Sequence, residues 1–362
     1  MHPFVINAVA PTRICDVGGW TDTHFSKYGT VFNIAIYPYV EVQVHPMAPG
    51  ESDGRLIVST ENYGTSYTLD PDNIVYDKHP LIEAAIKCMA LPQDLALRIN
   101  VFSYAPPGAS MGTSAAVSVA LIGALDVLTG KKLVPHELAT LAHSIETKEL
   151  GLECGVQDQL ASAYGGINLI EISDFPKATI SPIAITDAIW WELEHRLVLT
   201  YIGKPHQSSE IHKLVIAGLG AAPHKDQRIE RLRQLAHQAR PALQAGNFIE
   251  LGRIFDENTA MQRSLHKNLV CDAFEDIISV AGNYQALGCK VNGAGGDGGS
   301  IAILTDGDMS KKREMQKVLD QKGYLTLPVY LSRRGLRVWK SIATTPVESK
   351  LNQAADAATL TK

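Results

Sequence analysis

The amino-acid sequence predicts an α+β fold in two domains, and three observations carry that reading. The chain has 362 residues, a little over twice the roughly 150 residues of a typical domain. Hydrophobic residues make up 45% and charged residues 20%, which suits a chain that buries a core and excludes wholesale disorder. Strand-like and helix-like stretches follow one another in mixed order, without the steady alternation that a doubly wound parallel sheet requires.

Residues 4–10 are apolar and read as a first strand, and Gly18-Gly19 turns the chain. Residues 30–46 alternate and are rich in Val, Ile and Tyr, which predicts one or two strands. Residues 55–67 continue the strand pattern, with a turn at Asn62-Tyr63-Gly64. Residues 79–89 carry apolar side chains at helical spacing, and 95–103 alternate again. After a loop at 105–114, AAVSVALIGALDVL is an alanine-rich, apolar run expected to be a buried helix stopped by Gly130. Residues 135–150 and 156–164 are two further helices, the second ended by Gly165-Gly166. The stretch 174–187 is turn-rich and puts a domain boundary near 190, dividing the chain into 1–190 and 191–362. Beyond it, 195–202 reads as a strand, 224–268 as helix broken near Gly246, and 272–286 as helix. Residues 290–304 read as strand, glycine loop and strand, 309–322 as helix, and 325–338 as the last strands. The polar tail from Ser341 is expected to be loosely attached.

The formal net charge of −5 offers no electrostatic footprint for nucleic acid or an anionic membrane, so neither is expected as a partner. No run of 18 apolar residues predicts a transmembrane helix. The first residues, Met-His-Pro-Phe-Val-Ile-Asn, lack the basic and apolar segments of a signal peptide. The five cysteines are scattered, and neither they nor the 12 histidines have zinc-site spacing. A cytoplasmic protein with reduced thiols is the expectation.

Four segments are candidates for chemistry. Pro106-Pro-Gly-Ala-Ser-Met-Gly-Thr-Ser-Ala115 joins a strand to a helix. Small residues admit a ligand close to the backbone, and a helix start offers free N–H groups and a positive dipole end, a combination suited to phosphate. A tight turn with Ser114 as N-cap is the other reading of the loop, which lacks the Gly-Lys-Ser/Thr of a Walker A motif. Gly293-Ala-Gly-Gly-Asp-Gly-Gly299 lies between strand patterns and suits either close ligand approach or a bulged hairpin. Ala10-Pro-Thr-Arg-Ile-Cys-Asp-Val-Gly-Gly-Trp-Thr-Asp22 sets Arg13 and Asp16 in an apolar run, where a surface ion pair is the plain alternative. In Gly155-Val-Gln-Asp158-Gln159, Asp158 falls in an apolar helical stretch; such carboxylates are paired, functional, or simply on the helix surface.

Taken in order, these segments resemble the motifs of the GHMP kinases, the family of galactokinase, homoserine kinase and mevalonate kinase. Ala10-Pro-Thr-Arg13 resembles the first motif, Pro107–Ala115 the ATP-phosphate loop, and Lys290–Gly299 the glycine-rich third motif, so the likeness spans nearly the whole chain. Gly18-Gly-Trp-Thr-Asp22 resembles the sugar kinase branch with the l-fucokinase-like and heptose-phosphate kinases; the Glu-His of galactokinases is absent. The resemblance implies a ribosomal S5 domain 2-like N-terminal domain that binds ATP, a ferredoxin-like C-terminal domain, and an active site between them. It implies Asp158 as the carboxylate that orients or deprotonates the sugar hydroxyl, with Arg13 beside it; an opposite charge at that range favours the ionised carboxylate. It also implies that Pro107, Gly108, Ala109, Ser110, Met111, Gly112, Thr113 and Ser114 bind ATP, and that Ser114 and Glu146 hold Mg²⁺. Asp22, Gly19, Trp20, Gly295 and Gly296 would face the substrate, Trp20 either stacking on a sugar ring or filling core. Asp297 departs from the small residue common in the third motif.

The substrate expectation is a free hexose or deoxyhexose phosphorylated at its anomeric hydroxyl. A sugar phosphate would need a second cationic site; Lys204, His206, Ser208 and Ser209, or Arg263 and His266, are candidates that equally suit solvated loops and helix caps. A silent sugar/ATP sensor and a small-alcohol kinase are the competing readings. Arg13, Ser114, Glu146 and Asp158 together favour a kinase over a sensor, and Asp22 favours a polyhydroxy acceptor. A monomer or homodimer is expected.

Overall fold

A computed structural model describes residues 4–47, 54–204, 208–220 and 222–342. Two long strands, β1 (Phe4–Val17) and β2 (Gly29–Pro46), run antiparallel as the spine of the first sheet. Their alternating Val and Ile side chains cover a buried surface on the pleat. A hairpin of β3 (Leu56–Thr60) and β4 (Thr65–Leu69) turns at Glu61–Tyr63. Helix α1 (Pro80–Met89) follows, and the buried Glu83 carboxylate accepts the N–H groups of Lys78 and His79 at its start. Strand β5 (Leu97–Ser103) then fills the gap between β2 and β3, antiparallel to one and parallel to the other.

Helix α2 (Thr113–Thr129) is apolar on all sides because it is packed on all sides, against α1, β1 and β2. Helix α3 (Pro135–Ser144) runs on into a π-helical turn at Ile145–Glu149, and α4 (Gln157–Tyr164) packs beside α3. A second hairpin, β6 (Ile167–Asp174) and β7 (Lys177–Pro182), extends the sheet from the first half of β2. Helix α5 (Asp187–Arg196), N-capped by the Thr186 hydroxyl, leads to the second sheet.

That sheet is built from β8 (Leu197–Tyr201), β9 (Gly288–Val291), β10 (Ser300–Leu304) and β11 (Leu325–Leu327). Among the described residues, four α-helices lie between β8 and β9: α6 (Ser208–Gly218), α7 (Gln227–Gln244), α8 (Phe248–Leu265) and α9 (Asp272–Asn283). Helix α10 (Met309–Gln321) connects β10 to β11. The order β11-β8-β10-β9, antiparallel throughout, is that of a ferredoxin-like layer. The last strands, β12 (Tyr330–Leu331) and β13 (Arg337–Ile342), then return to the first sheet and pair with β2 and β1.

The α+β reading and most helix and strand positions are as the sequence predicts. The hairpin β6–β7, helix α5 and helix α6 are additions. The turn formers between Asp174 and Pro176 dominate the first of these stretches, and α5 buries only Trp190 and Leu193, too few for a periodic stripe. Ser341 and Ile342, expected in a loose tail, are paired with β1.

Candidate active site

Between β5 and α2 the chain crosses the floor of a cavity of about 550 Å³. Gly112 stands at the N-cap of α2 with φ 70°, and no side chain caps the helix. The reading with Ser114 as N-cap therefore gives way: Ser114 is exposed one turn-position inside the helix, and the first N–H groups of α2 stay open. The hydroxyls of Ser110 and Thr113 are buried beside them and have no hydrogen-bond partner. A row of unspent donors at a positive helix end suits the oxygens of a phosphate chain.

Arg13, on β1, lies directly beside this loop. Its Nε donates to Asp158 Oδ1 at 2.7 Å and its Nη2 to Asp158 Oδ2 at 3.2 Å, a fork on a carboxylate. Nη1 donates to the Ser110 carbonyl at 2.6 Å, and the Arg13 backbone N–H to the Met111 carbonyl at 3.0 Å. One side chain thus ties the first strand, the glycine loop and α4 together. Burial alone would lower the Arg13 pKa, but Asp158, Asp16 and Asp22 outweigh it and hold the guanidinium charged. Gly112 has to be glycine: a Cβ there would lie 3.0 Å from Asp158 Cγ, besides the left-handed backbone.

Asp22 is 2% exposed; its Oδ2 accepts the Gln157 N–H at 3.1 Å, and a Cβ on Gly155 would collide with it. Burial, and then the charge of Asp158, push the Asp22 carboxyl up to about 7. Glu146 sits on the π-helical turn after α3, a distortion that redirects a side chain at functional sites. Its Oε1 accepts from Gln159 Nε2 at 2.8 Å, and burial pushes its carboxyl up to about 7.

Asp158, Arg13, Asp22, Trp20, Glu146 and the loop 107–114 all line the one cavity. Trp20 is 5% exposed and packs on Phe25 and a small apolar cluster from α6, α7 and α8, so most of its ring is core. Gly19 lies against the Asp16 carboxylate. Gly295 and Gly296 are set behind the wall: a Cβ on Gly295 would strike the Leu269 carbonyl, which accepts the Gly296 N–H at 3.0 Å. Gly293 and Ala294 face the cavity instead. Asp297 is exposed. Lys204 is exposed, His206 lies outside the described residues, and so do the side chains of Ser208 and Ser209. Arg263 pairs with Glu275 at 2.6 Å, and His266 Nδ1 accepts the Asn268 N–H, so both serve the local structure.

Sequence reasoning missed one end of the cavity. Thr60, Asn62, Tyr63 and His79 line it, with the Tyr63 ring 5.2 Å from that of His79. Asn62-Tyr63-Gly64 carries only a turn signal, and no local pattern connects residue 63 to residue 108. Asp16 was visible as a charge in an apolar run, without a role.

An open helix start beside a buried arginine that grips the partly exposed Asp158 suits the binding of a phosphate chain next to a carboxylate. Residues 80–166 match the family described as GHMP kinases N terminal domain. The chain is 25% identical over 350 residues to the D-glycero-alpha-D-manno-heptose 7-phosphate kinase of Campylobacter jejuni, covering 92% of this chain and 99% of that protein. It is 27% identical over 350 residues to the mevalonate kinase of Thermococcus sibiricus, covering 91% and 97%. A solved D-glycero-D-manno-heptose 1-phosphate kinase from Bacteriodes thetaiotaomicron superposes with a TM-score of 0.74 at 23% identity, over 94% of this chain and 100% of that one. The chain carries the GHMP kinase N-terminal domain and the two-sheet fold, and is a homologue of the GHMP kinases, phosphotransferases that act on alcohol groups. No described helix is long and apolar enough to cross a membrane.

Proposed function

We propose that the chain is an ATP-dependent sugar kinase that transfers the γ-phosphoryl of ATP to a sugar hydroxyl. The observation that carries this is the Arg13–Asp158 fork, set beside the open start of α2 in one cavity. In this reading the 107–114 backbone and the Ser110 and Thr113 hydroxyls bind the phosphates, and a purine lies toward Tyr63 and His79. Asp158 takes the hydrogen bond, and then the proton, of the acceptor hydroxyl. Arg13 holds Asp158 in place and offsets charge on the phosphoryl group in flight. Positioning and charge neutralisation carry most of the rate of such transfers.

The site fits Mg²⁺ as the accompanying ion. Among the described residues no three His, Cys, Asp or Glu side chains come together as a cage. The cavity instead offers the buried Glu146 carboxylate and the Ser114 hydroxyl on the side of the helix start. Mg²⁺ is commonly held by one or two carboxylates plus substrate phosphates and waters. Bound there, it would supply charge neutralisation to the β- and γ-phosphates.

A free hexose phosphorylated at its anomeric hydroxyl is the favoured acceptor, because Arg13 is the only arginine or lysine among the described residues lining the cavity. A sugar phosphate is the second reading, supported by the names of the heptose-phosphate kinases among the relatives. Purified chain with Mg·ATP and a panel of free sugars and sugar phosphates, read by ADP release, tests both. Turnover is expected with a sugar, and Asp158→Ala is expected to lose at least about a hundredfold of it while still binding nucleotide. ATP binding without turnover on any sugar would overturn the proposal.

A further inference from the structure

Among the buried charges that the proposed mechanism does not use, Asp16 lines the cavity. Asp16 lies three residues after Arg13 in β1, and on a regular strand the two side chains would point to opposite faces. The strand is not regular there. Cys15 has φ 55°, in the left-handed region, and the register against β2 shifts between Ile14 and Val17. Such irregularities cost energy and turn a side chain from one face to another, often beside functional sites. Here the irregularity brings Asp16 to the cavity wall on the same side as Arg13.

The carboxylate is 1% exposed and is held at one oxygen only. Asp16 Oδ1 accepts from Lys290 Nζ at 3.2 Å and from the Gly293 N–H at 3.0 Å, with Arg13 Nη1 at 3.9 Å. Lys290 is itself fully buried and also donates to Gln262 Oε1 at 3.2 Å. Asp16 Oδ2 is buried and has no hydrogen-bond partner. Gly19 keeps that oxygen clear, because a Cβ at position 19 would lie 2.6 Å from it. A buried charged oxygen without a partner costs more than a spent hydrogen bond returns, so its persistence points to a partner from outside the chain.

We infer that Asp16 is a sugar-binding carboxylate: Oδ2 accepts a hydrogen bond from an acceptor hydroxyl other than the one phosphorylated, while Lys290 and Gly293 fix its orientation. This rests on the sugar kinase reading. It pairs Asp16 with Asp22 as two carboxylate acceptors at one end of the cavity, so that acceptors are selected by the placement of several hydroxyls. A site built to bond a hydroxyl rejects an analogue that lacks it far more strongly than an apolar pocket does.

The experiment uses a sugar that the wild type phosphorylates and its monodeoxy analogues. One analogue is expected to lose roughly ten- to hundredfold in kcat/KM with the wild type. Asp16→Asn is expected to raise the KM for the parent sugar by a similar factor, leave the KM for ATP in place, and abolish the penalty for that one analogue alone. Because Asp16→Asn strands the Lys290 charge, the double variant Asp16→Asn/Lys290→Met is measured beside it. A purely structural ion pair would give back normal sugar KM in the double variant, and that result, or unchanged penalties across all analogues, would overturn the inference. If the wild type phosphorylates no sugar, the inference falls together with the function on which it rests; if the wild type works and the variants show no coupling, the inference alone falls.

Discussion

The site gathers more negative than positive charge. Asp16, Asp22, Asp158 and Glu146 line a cavity against which, among the described arginines and lysines, Arg13 stands on the wall and Lys290 behind it. The result is visible in Asp22, whose carboxyl burial and the nearby Asp158 raise from 3.8 to about 7. The sign of the pH effect follows. Between about pH 4 and pH 7 the folded chain keeps a proton on Asp22 that the unfolded chain has lost, so this group's stabilisation declines as pH rises through that window. Asp22→Asn removes the decline and keeps an acceptor for the Gln157 N–H. The variant is therefore expected to gain stability relative to the wild type between about pH 5 and about pH 8, as urea midpoints would read it. A difference that stays constant over that range would show that Asp22 titrates normally.

At the scale of elements, Gly112 joins helix geometry to the carboxylate proposed as catalytic, since it caps α2 with a left-handed backbone and leaves room for Asp158. Gly112→Ala is expected to cost about 1–2 kcal/mol of stability from the left-handed backbone. It should also lower kcat by pressing on Asp158, with stability read by denaturation and kcat by ADP release; normal kcat would mean that Asp158 tolerates displacement. The loop, α2, α4 and the two glycine clusters were legible because glycine, small residues and an apolar helix run leave strong local patterns. What brings Asp16 to the cavity was not, because a positive φ at Cys15 has no signature in a cysteine. Nor could the sequence place Gly295 behind the wall and Gly293 on it, since glycines at successive turns look alike until the carbonyl of Leu269 is found against one of them. Trp20 was balanced between core and cavity, and what decided its packing was α6, an element the sequence reading did not include.

At the scale of the whole molecule, the proposed division near residue 190 puts the second sheet after β1 to β7, but β12 and β13 lie beyond it and return to the first sheet, and the two sheets share their packing. One apolar core takes Ile14, Phe32 and Ile34 from the first sheet, Leu199, Ala302 and Leu304 from the second, and Leu235 and Phe255 from α7 and α8. Polar ties cross the same boundary: the Cys15 N–H donates to Asn292 Oδ1 at 2.9 Å, the Gly18 N–H to Asn258 Oδ1 at 2.8 Å, and Lys290 meets Asp16. The chain then returns through β13, whose six residues, Phe4–Val9 opposite Arg337–Ile342, close the edge of β1. Removing either half would expose the apolar face of that shared core and leave buried carboxylates and Lys290 without their partners, penalties of several kcal/mol each against a total stability of about 5–15 kcal/mol. The two sheets are therefore expected to unfold in a single transition, with coincident fluorescence and far-UV circular dichroism curves. Residues 1–190 expressed alone should fail to give a cooperative transition. Two separated transitions in the full chain, or a folded 1–190 fragment, would mean that the shared core stabilises the cleft without coupling the halves, and the site would then be free to open without unfolding.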